Sequence, residues 1–548
     1  MAEWVHNSLL IRLLQAVIAA FRRWWRQSGL RRALDWLGRV GEESLSRRLW
    51  LAWGDSADAA QKSVYHRCMG RLRRGMERLG DIFRQGLIWR GLQAAGRFYG
   101  RISARSRILS LIGRLSARQW LLLAFAWYLP IEFLIRDSLK LYALASVWEE
   151  AFMALAVAAV LWRIALRRSK ALGRETVLDA WLLLFMAVGF FLMCFNRPYP
   201  QVALPGYRIV VQYMLWYFIV LRLREDDADL KVLLASFGLL LIFLALHGVY
   251  QYAVGVAIPD SWTTSTEAGV RTRVFSLTGS PNILGSLLVL LAPLAAAGLY
   301  YFRDRRAKWA CLALVLVSML TLLFTFSRGA WVGMMRAVAL FSLFVDGRLL
   351  ALMAAAVAAI LALMPSITSR ITFLFSTEYA EAAEIGGRAY RWATGLRLLH
   401  EGNPWLGFGL GMFGGAVAMD HKLLDETEDF FYYYMDNYYL KTLVEMGYLG
   451  FIAYVLLLIA VLYLGLKAIH KSDVPFRGIP GDALVRAEGN MRLWTIAIFC
   501  GVCGVLLHCY FENIFEEPYM SAYFWGLLAA ASYIGFFRRK LKSDSPEA

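Results

Sequence analysis

Residues 438–466 read YYLKTLVEMGYLGFIAYVLLLIAVLYLGL, and after Glu445 this stretch carries no charged side chain. At about 1.5 Å of rise per residue, roughly 20 apolar residues match the hydrocarbon core of a bilayer. In lipid the backbone must satisfy its own hydrogen bonds, so the run is read as a membrane helix. Similar runs recur on either side. Twelve are expected, near 119–135, 146–166, 177–195, 207–223, 230–252, 282–302, 308–326, 329–346, 348–365, 438–466, 491–511 and 517–537. The class is therefore all-α, a polytopic membrane protein.

Composition agrees. Of 548 residues, 59% are hydrophobic, the mean hydropathy is +0.49, and 20 are Trp. Trp and Tyr favour the bilayer interface. The net charge of +18 is unevenly placed. Residues 1–118 hold 23 Lys and Arg against 8 Asp and Glu, a net +15. Leu10, Leu14, Val17, Phe21 and Trp24 recur at helical spacing, as do Leu72, Met76, Leu79, Phe83 and Leu87. This arm reads as basic amphipathic helices on the cytoplasmic membrane surface, or else as a small soluble helical bundle. Because it is tethered to membrane spans, anionic lipid is the nearer partner and nucleic acid is not expected. The segment 119–537 is the transmembrane domain, and 538–548 is a basic tail. Lys and Arg in short loops mark the cytoplasmic side. By that rule both termini are cytoplasmic, and the loops 136–145, 196–206, 253–281, 327–328, 366–437 and 512–516 face outward, as in a multi-pass protein of the inner or cytoplasmic membrane. The six cysteines, including Cys500-x-x-Cys503 inside an apolar run, read as small packing residues.

The outer loop 366–437 is the longest and the expected seat of chemistry. Arg388 to His400 has helical spacing, carries Arg391 and Trp392, and is stopped by Asn403-Pro404. Gly407, Gly409 and Gly411 then either form a plain turn or present amides to a phosphate. Asp436 and Asn437 precede Tyr438 at the head of the next span. Either residue caps that helix, or the Asp436 carboxylate serves as a base. Lys441 and Glu445 are spaced for an ion pair along the helix. Ser327-Arg328-Gly329 lies at the outer mouth between two spans, with Arg336 two turns deeper. Those arginines either snorkel to headgroups or line a polar cavity. Arg271 and Arg273 add two more outer cations before Pro281-Asn282 starts a helix. Clustered guanidiniums suit a diphosphate, which they bind bidentately. A neighbouring carboxylate suits deprotonation of an acceptor hydroxyl. Asp425, Glu426, Glu428 and Asp429 are read as a solvated acidic run rather than metal ligands, and His247, His400 and His508 lack metal spacing.

In order and spacing, Ser327–Trp331, Gly387-Arg388 with Trp392, Asn403-Pro404 through Gly411, and Asp436–Leu440 leading to Glu445–Gly450 resemble the O-antigen ligase and O-antigen polymerase (Wzy-type) superfamily. The resemblance spans about residues 119–537. It implies a GT-C-like membrane glycosyltransferase that needs neither metal nor cofactor. It implies transfer from an undecaprenyl-diphosphate-linked glycan to a glycan, lipid or protein acceptor on the extracytoplasmic face. Arg328 and Arg388 would contact the diphosphate. Arg271, Arg273, Arg336, Arg391, Asn437, Tyr438, Gly407, Gly409 and Gly411 complete the expected binding set. Asp436 stands where lipopolysaccharide ligases carry a catalytic histidine, a departure that points to a polymerase or to a different acceptor. A flippase or exporter of lipid-linked glycans is the alternative, and should line its path with charge through several spans. A non-enzymatic scaffold docking through the arm is a third reading.

Overall fold

The computed structural model describes residues 64–103, 113–167, 173–197, 199–257, 272–363, 388–421, 435–472 and 489–538, with scattered positions among 19–36 and at 169, 368, 369, 372 and 376. Arg271, the acidic run 425–429 and the tail 539–548 lie outside these residues, as does most of the arm before Val64.

Every described element is helical apart from turns and one isolated bridge, Asn403 with Gly407. The arm contributes α1 (Val64–Gln85) and α2 (Leu87–Ser103). The membrane region follows as α3 (Ala117–Ala126), α4 (Tyr128–Phe133), α5 (Trp148–Ala165), α6 (Val177–Phe195), α7 (Pro200–Val211), α8 (Leu215–Leu223), α9 (Asp227–Val254), α10 (Pro281–Tyr301), α11 (Arg305–Phe324), α12 (Arg328–Phe344) and α13 (Arg348–Leu363). The described part of the large loop holds α14 (Arg388–Glu401) and α15 (Ala416–His421). The bundle closes with α16 (Tyr438–Lys471), α17 (Arg492–His508) and α18 (Pro518–Ser532).

Helix occupies each of the twelve expected positions, and among the described residues seven segments are long and apolar enough to cross a membrane. The first expected span is split at Trp127 into α3 and α4, and α12, α13 and α17 are shorter than a full crossing. Residues 200–206, expected in a loop, are helical. Pro200 sits at the first turn of α7, where its missing N–H costs nothing. A segment running Pro200–Leu223 results.

The core is built around α10, α17 and α18, whose residues are almost wholly buried. α17 lies between α10 and α12, and α18 packs against α8. The Tyr523 hydroxyl donates to the Ala126 carbonyl at 2.8 Å and accepts from the Leu129 N–H at 3.0 Å, bridging the break between α3 and α4. Tyr217 on α8 joins Ser532 at 3.1 Å and Thr176 at 2.6 Å.

Two ends are chemically distinct. At one, α1 docks on α5: Arg167 pairs with Asp81 at 2.7 Å, and a side chain at Gly80 would collide with the Ala165 carbonyl. Tyr65 reaches buried Asp179 at 3.3 Å, which pairs with Arg222 at 3.2 Å. Arg538 meets Asp227 at 3.0 Å at the same end. The described parts of the expected outer segments 253–281, 366–437 and 512–516 lie at the other end.

Candidate functional site

Asn437 and Asp436 divide two tasks between them. Asn437 caps α16, its side-chain oxygen accepting from the Leu440 N–H at 3.0 Å. That leaves the Asp436 carboxylate to turn into the loop. Arg388, the first residue of α14, donates from Nε to Asp436 Oδ2 at 2.5 Å. Arg391, nearly one turn on, comes within 3.4 Å of the same oxygen, and the Trp392 indole N–H donates to Oδ1 at 3.3 Å. Both carboxylate oxygens are therefore engaged by donors from one face of α14.

Arg388 has a second anchor. Its Nη2 donates to the Phe511 carbonyl at 3.1 Å, in the connector between α17 and α18. That corner also receives the start of α12. A Cβ on Gly329 would stand 2.7 Å from the His508 ring and 2.8 Å from Phe511 Cβ. Arg328 precedes this contact, so its backbone is held beside the Arg388–Phe511 pair. Arg273 donates from Nε to the Thr325 carbonyl at 3.2 Å, next to the same turn, and Val274 N–H pairs with the Phe324 carbonyl at 3.1 Å. Arg336 lies half-buried two turns along α12, where its charge bears on Tyr439 and Cys503. Tyr438 is a packing residue: its ring meets Phe515 at 5.2 Å and its N–H donates to the Cys509 carbonyl at 2.9 Å.

The glycine loop has a definite structural partner. Helix α16 is broken at Gly447, with φ 61° and ψ −170°. The loop fills the break. The N–H groups of Phe408 and Gly409 donate to the carbonyls of Val444 and Glu445 at 2.7 and 3.0 Å. The carbonyls of Pro404 and Trp405 accept from Tyr448 and Leu449 at 2.8 and 3.1 Å. These are the four groups that the interruption would orphan, and apolar surroundings make orphans costly. A Cβ at Gly407 would stand 2.3 Å from Gly447 N, and one at Gly447 2.4 Å from Gly407 N, so only glycine allows the approach at either position. The amide of Gly407 is engaged with Asn403 at 2.8 Å, and Gly411 packs on Gly206. Asn196 fastens the loop from α6, donating to the Leu406 and Gly407 carbonyls at 3.0 and 2.7 Å.

The expected Lys441–Glu445 pair forms at 2.9 Å and is buried, with Glu516 on the same ammonium at 3.0 Å. Glu445 also accepts the Phe413 N–H at 3.1 Å, and Glu516 the Ala416 N–H at 3.1 Å. The three charges tie the loop to the rim of the bundle.

Sequence reasoning passed over Glu512. It is buried, and it accepts from the Asn282 side-chain amide and from Asn513 N–H at 3.2 Å. Burial first, then the charge of Asp436, pushes its carboxyl up to about 7, while Arg388 acts in the opposite direction. His508 on α17 bonds Ser286 on α10 through Nδ1 at 2.7 Å, and His247 on α9 bonds Ser276, in the turn before α10, at 3.0 Å. Among the described residues no cluster of His, Cys, Asp and Glu has the makings of a metal site.

Residues 312–455 match the family model described as O-antigen ligase. This segment contains Arg328, Arg388, Arg391, Asp436 and the whole loop-in-helix junction. Over this segment the chain is similar to the O-antigen ligase family. That match, with the long apolar helices, supports a polytopic helical membrane protein with a glycan-transfer role in polysaccharide biosynthesis. No curated protein matches the chain significantly. Arg273, Asn282 and Glu512 lie outside the matched segment, although they stand at the same end of the bundle.

Proposed function

We propose that the protein moves a glycan from an undecaprenyl-diphosphate donor to an acceptor hydroxyl or amino group at the extracytoplasmic face, without a metal, on a GT-C-like scaffold. The observation that carries this reading is Arg388 and Arg391 sharing Asp436, beside the turn that bears Arg328. A glycosyl diphosphate leaves as an anion, and guanidiniums fixed in advance stabilise the charge that appears on it. Asp436 is then a positioning residue. Bound by two guanidiniums, it holds them in one direction, a role favoured here over the cap or base that the sequence leaves open. Arg328, Arg273 and Arg336 extend the cationic surface towards the lipid phosphate. Arg271 belongs to the same set. Gly407, Gly409 and Gly411 shape the wall beside it, and Asn437 and Tyr438 hold the head of α16 in place.

The orientation proposed, with termini in the cytoplasm of an inner-type membrane, is supported by charge. Arg167, Arg222 and Arg538 lie with α1 at the end opposite the site. On that end α2 presents Leu87, Leu92 and Phe98 outward between arginines, a surface suited to anionic lipid.

The test is incubation of the purified protein with a diphosphate-linked oligosaccharide lipid, with and without acceptors. A ladder of products identifies a polymerase, and one shifted acceptor a ligase. Transport without chemistry would replace this reading with the exporter. Transfer should persist in EDTA, because guanidiniums here do the work of a cation. Loss in EDTA that divalent ions restore would overturn metal independence.

A further inference from the structure

We propose that Glu512 takes the proton from the acceptor hydroxyl during glycan transfer, a role that rests on the transfer reading above. Glu512 lies in the connector between α17 and α18, one residue after the carbonyl that anchors Arg388. Its two hydrogen bonds come from neutral amides, Asn282 at the first turn of α10 and its neighbour Asn513. Among the described residues it makes no ion pair, in contrast to Asp436, which two guanidiniums and an indole occupy. The charged groups facing Glu512 are Arg388 on α14, Asp436 ahead of α16 and Glu517 at the head of α18. His508, one turn earlier on α17, is directed to Ser286. A buried carboxyl with only neutral partners, beside like charge, holds a proton near neutral pH and can exchange it there.

The step balances. The acceptor O–H passes its proton to the Glu512 carboxylate while its oxygen forms the bond to the anomeric carbon. The bond from that carbon to the phosphate oxygen breaks, and its electron pair leaves with the diphosphate into the arginines. Glu512 then returns the proton to water.

The experiment uses the full-length protein in liposomes, with a diphosphate-linked oligosaccharide lipid and an acceptor that the unmodified protein uses. For the unmodified protein, kcat/KM should rise about tenfold per pH unit on the acid side and level off above about 7, where the carboxylate is the major form. Glu512→Gln should bind the donor lipid as before, lose about 10²–10⁴-fold in transfer, and lose the acid limb. Glu512→Asp should keep part of the rate with the limb displaced. Wild-type transfer by Glu512→Gln, or an acid limb that survives in it, overturns the proposal. If the Gln variant does not fold, an unmoved limb in Glu512→Asp does the same. An unmodified protein that binds donor and transfers to no acceptor removes the transfer reading itself, and this role with it. Loss confined to the Gln variant concerns Glu512 alone.

Discussion

Arg388 carries two jobs through one planar group: Nε holds Asp436 and Nη2 holds the Phe511 carbonyl. Lysine offers a point charge and cannot span both, so Arg388→Lys should lose nearly as much as Arg388→Ala, about 10²–10³-fold in transfer, with membrane insertion intact. Asp436→Asn leaves Arg388 and Arg391 facing a neutral amide. Their guanidiniums then drift apart, and the displacement should cost about 10²-fold in kcat with donor binding less affected. The same radiolabelled transfer assay measures both, and equal wild-type rates would discard the clamp. At this scale the sequence singled out Asp436 and Asn437 but not how they share their tasks. Neighbouring residues point in different directions only once the incoming loop has fixed the helix start. Glu512 was illegible for a related reason. Its surroundings come from positions 282, 388 and 436, and no local pattern records that they meet.

Helix α16 and the glycine loop form one unit. The positions of the helices were legible, because an apolar run must close its own hydrogen bonds whatever surrounds it. The break at Gly447 was not, since the apolar pattern passes through it unchanged. The loop's alternate glycines were visible, but their partner was a helix some 40 residues downstream. Gly447→Ala should therefore do more than a usual helical Gly→Ala change. Positive φ alone costs about 1–3 kcal/mol, and the Cβ would also strike the Gly407 N–H. Reduced thermal stability in detergent and loss of transfer should appear together. A variant as stable as the parent would mean that α16 can straighten and release the loop. Residues 200–206, expected as loop, are helical although they carry two prolines. One stands at the first turn, and Pro205 is tolerated within the packed bundle.

Across the whole molecule, charge separates the two ends. The site end carries Arg273 and Arg328, with Arg388 and Arg391 on Asp436, and the opposite end clasps α1 through Asp81, Tyr65 and Asp179. Removing one partner of a buried pair leaves the other charge stranded, at a cost of about 3–5 kcal/mol. Asp179→Ala should thus loosen α1, seen as faster protease cleavage between residues 64 and 113, while transfer declines only modestly. Unchanged cleavage would mean that Gly80 and Asp81 hold the arm unaided. The deeply enclosed α18 leaves the ribosome after α8, α10, α16 and α17, the helices it packs against. Until Tyr523 arrives, α3 and α4 lack the hydroxyl that bridges them, and α8 faces an unfilled centre. Closure of the centre must therefore wait for residues 518–532, and a chain cut short before residue 518 would hand the cell's quality-control proteases a hollow bundle.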